Sequence, residues 1–176
     1  MNFVFYLLYR FLRKVFLWGL HTFSWKKNGI FDQVESAKEH CVERYDTACQ
    51  IMSIEWQSKA LDFDPARDVD FVPWHEDFVS PTKLLKDKRW TLYCFTRDWV
   101  YFVYTRKELR DFDAKKCAFM SLSQFYNATR LARMPHWAFV KMCKRLTAPS
   151  CNIVYVSNVP RSGTTLFMQA LQPAQR

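Results

Sequence analysis

The residues best suited to chemistry lie in one segment near the end of the chain, NIVYVSNVPRSGTTLFMQALQ. Arg161 carries a permanent charge and can form paired hydrogen bonds with phosphate or sulfonate oxygens. Ser162, Thr164 and Thr165 can add hydroxyl donors. Gly163 allows the backbone to approach a ligand closely. This combination indicates a site for an anionic group.

The elements predicted around these residues would position them for that task. Residues 153–156 form a short apolar run that is typical of a buried parallel strand. Residues 157–162 are polar and include a proline, and residues 164–171 have helical apolar spacing. A strand, a tight loop and a helix in this order point free N–H groups and the helix dipole at an anion. An ordinary strand-to-helix turn capped by a threonine is the alternative interpretation of S-G-T-T alone.

The run V-P-R-S-G-T-T-L resembles the 5′-phosphosulfate-binding loop of sulfotransferases that use 3′-phosphoadenosine 5′-phosphosulfate (PAPS). The pattern of that loop is P-[KR]-[ST]-G-[TS]-[TS]. The resemblance implies PAPS as co-substrate, no metal, and in-line transfer of a sulfonate group to an acceptor hydroxyl or amine. It also implies a catalytic role for Arg161, which would contact the phosphosulfate and stabilise charge on the leaving phosphate oxygen. The 5′-phosphate would be held by Arg161, Ser162, Gly163, Thr164 and Thr165.

The resemblance covers residues 152–172 only, and the last residue of the chain is Arg176. Sulfotransferases bind the 3′-phosphate and supply the general base from residues far beyond the loop. We therefore expect a truncated sulfotransferase that is inactive in this form, with no assignable general base or acceptor.

Composition narrows the function classes. Only three residues are glycine, Gly19, Gly29 and Gly163, which excludes the glycine-rich phosphate loops of kinases and dinucleotide-binding enzymes. The net charge of +9 combines an acidic block (residues 31–80) with a basic one (residues 81–176). Because such blocks can pair internally, we expect no nucleic acid as partner. The basic excess of residues 81–176 suits an anionic small molecule, and the resemblance implies that this ligand is a nucleotide. The six cysteines include no C-x-x-C pair, so we expect no zinc site.

Residues 1–28 are predicted to form a basic amphipathic helix in a membrane interface, or a signal anchor. The first 25 residues are rich in Phe, Leu, Tyr and Trp and contain no acid. On a helical wheel, one face gathers Arg10, Arg13, Lys14, His21 and Ser24, and the rest holds Phe5, Leu8, Leu12, Phe16, Leu20 and Phe23. A helix packed on the chain's own core is a third alternative. The expected location is a membrane surface contacted by residues 1–25, with the Golgi as a candidate and the cytoplasm as an alternative.

Residues 29–150 are predicted to form an accessory, mostly helical region. A capping box at Asp32 and Glu35 would open a helix whose apolar stripe continues to Trp56. Residues 62–81 would form an irregular surface connection, and residues 89–105 a β-hairpin. Further helices are expected from Ser121 to Arg133 and from Pro135 onward.

The predicted fold class is therefore a partial α/β fold, in which the helical region precedes the first strand-loop-helix unit (residues 151–176) of a P-loop-like parallel sheet. The favoured function is that of a membrane-associated, PAPS-dependent sulfotransferase. The alternative is a non-catalytic membrane-associated interaction module with a vestigial anion-binding loop.

Overall fold

The computed structural model of the chain describes residues 3–40, 42–62, 64–112 and 119–146. The α-helices are α1 (Phe3–Gly19), α2 (Ile30–Lys38), α3 (Met120–Asn127) and α4 (His136–Cys143), and a π-helical segment (Leu20–Trp25) follows α1. The strands are β1 (Cys49–Gln57), β2 (Phe71–Val79), β3 (Trp90–Phe95), β4 (Trp99–Thr105) and β5 (Ala128–Pro135). Single 3-10 turns or short 3-10 helices span Val42–Thr47, Asp68–Asp70, Pro81–Lys86 and Leu109–Asp111.

The five strands form one antiparallel sheet in the order β2-β1-β5-β4-β3. Two hairpins, β1–β2 and β3–β4, lie on either side of β5, the last strand in sequence. Met52 of β1 lies opposite Leu131 of β5, and Tyr101 of β4 lies opposite Arg133 of β5. β5 therefore joins the two hairpins into one sheet.

The predicted fold class is wrong. The region expected to be mostly helical builds an antiparallel sheet of five strands, and this sheet conflicts with the expected parallel, P-loop-like one. The physical reason is that strands covered on both faces show continuous apolar runs, and such runs also satisfy helical spacing. The strand, loop and helix predicted over residues 151–176 lie outside the described residues.

Side chains from both faces of the sheet form the core, so the fold has three layers. Met52, Tyr101, Val103 and Leu131 face a cluster completed by the π-helical segment, α2 and α3. Their neighbours in sequence point to the other face of the sheet; these neighbours are Ile51, Val100, Phe102 and Ala132. There they form a second cluster with α4 and the 3-10 segments Val42–Thr47 and Pro81–Lys86. Because successive side chains of a strand point to opposite faces of the sheet, the same strands contribute to a core on each face.

The long helix predicted to run to Trp56 is wrong beyond Lys38. α2 begins at Ile30 after Gly29, whose φ of 66° lies in the left-handed region that favours glycine, and no side chain caps this end. The first four residues of β1 are all buried, and they read Cys49-Gln50-Ile51-Met52. Consecutive burial is possible only where both faces are covered, and the sequence alone does not show the layer that covers the second face.

The surface connection predicted over residues 62–81 is wrong for its second half, which forms β2. Pro73 lacks a backbone N–H and therefore argues against a central strand. β2 lies at the edge of the sheet, where proline is tolerated. The segment Trp74-His75-Glu76-Asp77, interpreted as loop, is therefore part of an edge strand.

Of the predictions for residues 89–146, two are confirmed and one is wrong in part. The β-hairpin is confirmed as β3 and β4, and a helix does begin directly after Pro135. The helix from Ser121 ends at Asn127, because residues 128–135 pair with β1 and β4 as the central strand. The hydrogen bonds and burial of that position outweigh local helix propensity.

A buried ion pair closes the connection between β1 and β2. Lys59 Nζ lies 3.1 Å from Asp70 Oδ2, and both side chains are 3% exposed. Lys59 also donates to the carbonyls of Asp64 and Pro65 at 3.1 and 3.2 Å. Tyr93 donates to the same Asp70 oxygen at 2.6 Å. The ammonium and the carboxylate therefore have the additional partners that a buried ion pair requires.

Lys59→Met is expected to lower the free energy of unfolding by about 3–5 kcal/mol, because it leaves the Asp70 carboxylate buried without its cation. Lys83→Met, at an exposed lysine, is the matched control and should change the free energy of unfolding by about 0.5 kcal/mol or less.

A double variant tests the pairing itself. In urea denaturation, the loss of unfolding free energy in Lys59→Met/Asp70→Asn should be smaller than the sum of the losses in the two single variants. Strictly additive losses would contradict the pairing.

Candidate functional site

The residues predicted from sequence to bind PAPS lie outside the described residues. These are Arg161, Ser162, Gly163, Thr164 and Thr165. Their roles stay predictions, and the site below is built from the described part of the chain, where α1 is the most unusual element.

One face of α1, the inner face, is fixed to the body of the protein by polar contacts. The Tyr9 hydroxyl donates to the Val69 carbonyl at 3.0 Å. Arg13 donates from Nε to the Phe71 carbonyl at 2.8 Å and from Nη2 to the Asp68 carbonyl at 3.3 Å. All three acceptors lie in or directly after the turn Asp68–Asp70, whose last residue pairs with Lys59. The buried ion pair thus supports the surface on which α1 sits.

Aromatic packing completes this contact. Tyr9 is almost fully buried, its ring lies edge-on to Trp56 at 5.0 Å, and it stacks on Tyr6 at 6.2 Å. Burial is the main cause that raises the pKa of the Tyr9 phenol above its ordinary value. The hydroxyl therefore stays protonated and keeps donating to Val69 at any physiological pH.

The opposite side of α1, the outer face, is apolar and turned to solvent. Its members are Val4, Phe5, Leu7, Leu8, Phe11, Leu12, Val15, Phe16 and Trp18. Four of them are about two-thirds exposed: Val4 (67%), Phe5 (65%), Phe11 (64%) and Trp18 (67%). A surface helix of a globular protein normally buries its apolar side and exposes its polar side. α1 does the reverse.

The outer face is large for a protein surface. An aromatic side chain offers about 150–250 Å², so Phe5, Phe11 and Trp18 together expose about 300–500 Å². The largest apolar patch of a typical monomer is about 300–600 Å², and six further apolar residues extend this one. Apolar patches larger than this range are typical of interaction sites.

The N-terminal segment that contains α1 carries positive charge only. The first 30 residues contain five basic residues and no acidic ones. Lys14, Lys26 and Lys27 are exposed, whereas Arg10 is half-buried beside the Tyr6 hydroxyl at 3.3 Å. In the part of the chain that the structure describes, no helix has both the length and the apolarity needed to cross a bilayer.

An apolar groove adjoins the outer face. It has a volume of about 350 Å³ and lies between α1 and the β1–β2 hairpin. Its lining is Leu12, Arg13, Val15 and Phe16 from α1, Glu55 and Trp56 from β1, and Val72 from β2. Leu12, Val15 and Phe16 belong to the groove and to the outer face alike.

A second cavity, of about 550 Å³, lies at the end of β1 beside α3. Its lining includes Lys59, Asp62 and Tyr126. Lys59 forms an ion pair with Asp70, and the Tyr126 hydroxyl donates a hydrogen bond to the Asp62 carboxylate at 3.0 Å. The Lys59, Asp62 and Tyr126 side chains of this cavity therefore already have partners within the protein.

A polar cluster on the sheet has a structural role. Gln50 accepts from Arg133 Nε at 2.7 Å and donates from Nε2 to His75 Nδ1 at 3.0 Å. The Arg133 guanidinium also lies 4.7 Å from the Trp99 ring centre. Burial is the main cause that lowers the pKa of His75, and nearby Arg133 lowers it further. A neutral imidazole can accept the Gln50 hydrogen bond.

The described residues offer little for metal or thiol chemistry. Among them, no group of three or more His, Cys, Asp or Glu side chains could hold a metal ion. Cys49 and Cys94 are buried and free, and burial raises the pKa of the Cys94 thiol to about 12. Such a thiol is not a nucleophile at neutral pH.

The structure separates the three cations that the helical wheel placed together. Arg13 points inward to the backbone, Arg10 lies at the boundary, and Lys14 is exposed. Sequence reasoning missed the docking role of Tyr9 and Arg13. The available signal was the spacing of Tyr6, Tyr9, Arg13 and Leu17, a stripe of one face on which the polar groups can reach backbone carbonyls.

Comparisons of the chain with protein-family models, with curated proteins and with solved structures found no match.

Arg13→Met is expected to loosen α1, because it removes two hydrogen bonds from a charged donor that together contribute about 1.5–3 kcal/mol. Amides of residues 3–19 should exchange with deuterium about 10- to 100-fold faster, while those of β4 and β5 stay unchanged. Lys14→Met, on the next residue of the same helix, is the control and should leave exchange unaltered. Equal exchange in the two variants would refute the docking role of Arg13.

Proposed function

We propose that the chain docks on the surface of an anionic membrane through the outer face of α1. The observation that carries this proposal is the reversed orientation of the helix, with Tyr9 and Arg13 bonded to the body and the apolar residues turned outward. A bilayer is the apolar phase that a whole helix face can enter without a shaped partner. Burial of one Phe or Leu side chain contributes about 1.5–3 kcal/mol, so the nine residues can supply the binding energy.

The geometry favours a helix that lies in the membrane plane. α1 has 17 residues and is therefore about 25 Å long. Because its inner face bonds to the turn Asp68–Asp70 near its middle, the helix docks side-on and the sheet stays on the water side. Interfacial helices bury their apolar face about 5–10 Å deep in the headgroup region.

The basic residues near α1 favour a membrane with anionic headgroups. Lys14, Lys26 and Lys27 are exposed close to the outer face in sequence, and the first 30 residues contain no acid to repel anionic headgroups. A basic residue near an anionic lipid surface contributes about 1 kcal/mol. Binding to phosphatidylglycerol vesicles should therefore be tighter than to phosphatidylcholine vesicles, and weaker in high salt.

Phe5→Ser/Phe11→Ser is expected to weaken binding to phosphatidylglycerol vesicles at least about 100-fold, because each change removes about 1.5 kcal/mol or more of burial. Co-sedimentation over a range of lipid concentrations measures the effect. The matched control is Phe95→Ser/Phe119→Ser, which removes two similarly exposed phenylalanines from other parts of the surface. The control should bind as the unchanged chain does.

Two results would refute membrane docking through α1. One is that the unchanged chain does not sediment with anionic vesicles. The other is that both double variants lose binding to the same extent.

A second candidate function, PAPS-dependent sulfonate transfer, is favoured by the sequence V-P-R-S-G-T-T-L. In this proposal, Ser162, Gly163, Thr164 and Thr165 hold the 5′-phosphate and Arg161 contacts the phosphosulfate. The acceptor oxygen or nitrogen attacks sulfur and loses its proton. The bond from sulfur to the phosphate oxygen breaks, which leaves 3′-phosphoadenosine 5′-phosphate. Arg161 would stabilise the charge on that leaving oxygen.

Arg161→Ala is expected to weaken binding of 3′-phosphoadenosine 5′-phosphate at least about tenfold, because a hydrogen bond to a charged group contributes about 1.5–3 kcal/mol. Isothermal titration calorimetry of the chain measures this affinity. Arg97→Ala, at an exposed arginine of the β3–β4 turn, is the control. No binding by the unchanged chain would favour the alternative of a membrane-associated module with a vestigial loop.

A further inference from the structure

We propose that the groove between α1 and the β1–β2 hairpin holds one acyl chain of a bilayer phospholipid. This inference rests on the membrane docking proposed above and adds a binding site for an individual lipid. It is distinct from the outer face, which contacts the membrane as a surface.

The groove has the chemistry of a hydrocarbon site. Its volume of about 350 Å³ lies within the range of about 300–1,000 Å³ for ligand pockets. Val72 is buried at the groove, and the Trp56 ring is held edge-on by Tyr9. The positions of these side chains are therefore fixed by the fold before any ligand enters.

The two ionisable side chains of the lining have other partners. Arg13 uses Nε and Nη2 for the carbonyls of Phe71 and Asp68, and Glu55 accepts from the Ser53 hydroxyl at 2.9 Å. An extended peptide would bring backbone N–H and C=O groups that need hydrogen-bond partners. An acyl chain needs none, so it suits this lining better than a peptide.

The position of the groove favours a lipid from the bilayer. Leu12, Val15 and Phe16 lie on the outer face and also line the groove. When the outer face is in the membrane, the groove opens into the same apolar layer, and a chain can enter without crossing water.

Val15→Trp tests the proposal, because a larger side chain at the groove would occupy it. The matched control is Val4→Trp, which adds the same group to the outer face away from the groove lining. Each chain is mixed with phosphatidylglycerol vesicles, separated from them by gel filtration, and examined by native mass spectrometry. We expect about one phospholipid per unchanged chain and per Val4→Trp chain, and at least a tenfold lower occupancy in Val15→Trp.

Circular dichroism confirms that the variants fold, and Leu12→Trp serves as a second groove variant if Val15→Trp does not. The inference is overturned if the unchanged chain retains no lipid, or if the folded groove variant retains as much as Val4→Trp. Co-sedimentation of the same samples reports on membrane docking separately. Docking without a retained lipid refutes the groove alone, and loss of docking refutes the proposed function itself.

Discussion

The buried ion pair between Lys59 and Asp70 is the contact on which the rest of the structure depends. It fixes the connection between β1 and β2, and Tyr93 and the carbonyls of residues 64 and 65 complete its hydrogen bonds. The same connection presents the carbonyls of residues 68, 69 and 71 to Tyr9 and Arg13. The ion pair thus adjoins the turn whose carbonyls hold the inner face of α1.

The orientation of α1 leaves apolar side chains in water, which is unfavourable. Nine apolar side chains lie on the exposed side, and a chain selected only for stability in water would bury them. The fold thereby presents an apolar surface on a helix that Tyr9 and Arg13 anchor by hydrogen bonds. The groove beside it extends the same surface into the protein. In our proposal, the outer face enters a bilayer and the groove holds one acyl chain of its lipids.

Sequence reasoning identified α1, the β3–β4 hairpin and α4, because local patterns determine them. The hairpin strands are aromatic and β-branched and are separated by three residues, Thr96, Arg97 and Asp98. β1 and β5 were missed because they are covered on both faces, and the covering helices are distant in sequence. The apolar residues of α1 predict the side that faces outward. They do not predict that Arg13 points inward, because its acceptors are carbonyls 55 and 58 positions away in sequence.

Photo-crosslinking tests the central claim most directly. p-Benzoylphenylalanine in place of Phe11, on the outer face, is irradiated in the presence of phosphatidylglycerol vesicles. The account predicts covalent phospholipid adducts at this position. The same group in place of exposed Phe95 on β3 should yield none. Absence of adducts at position 11, or equal yields at both positions, would contradict the claim that α1 enters the membrane.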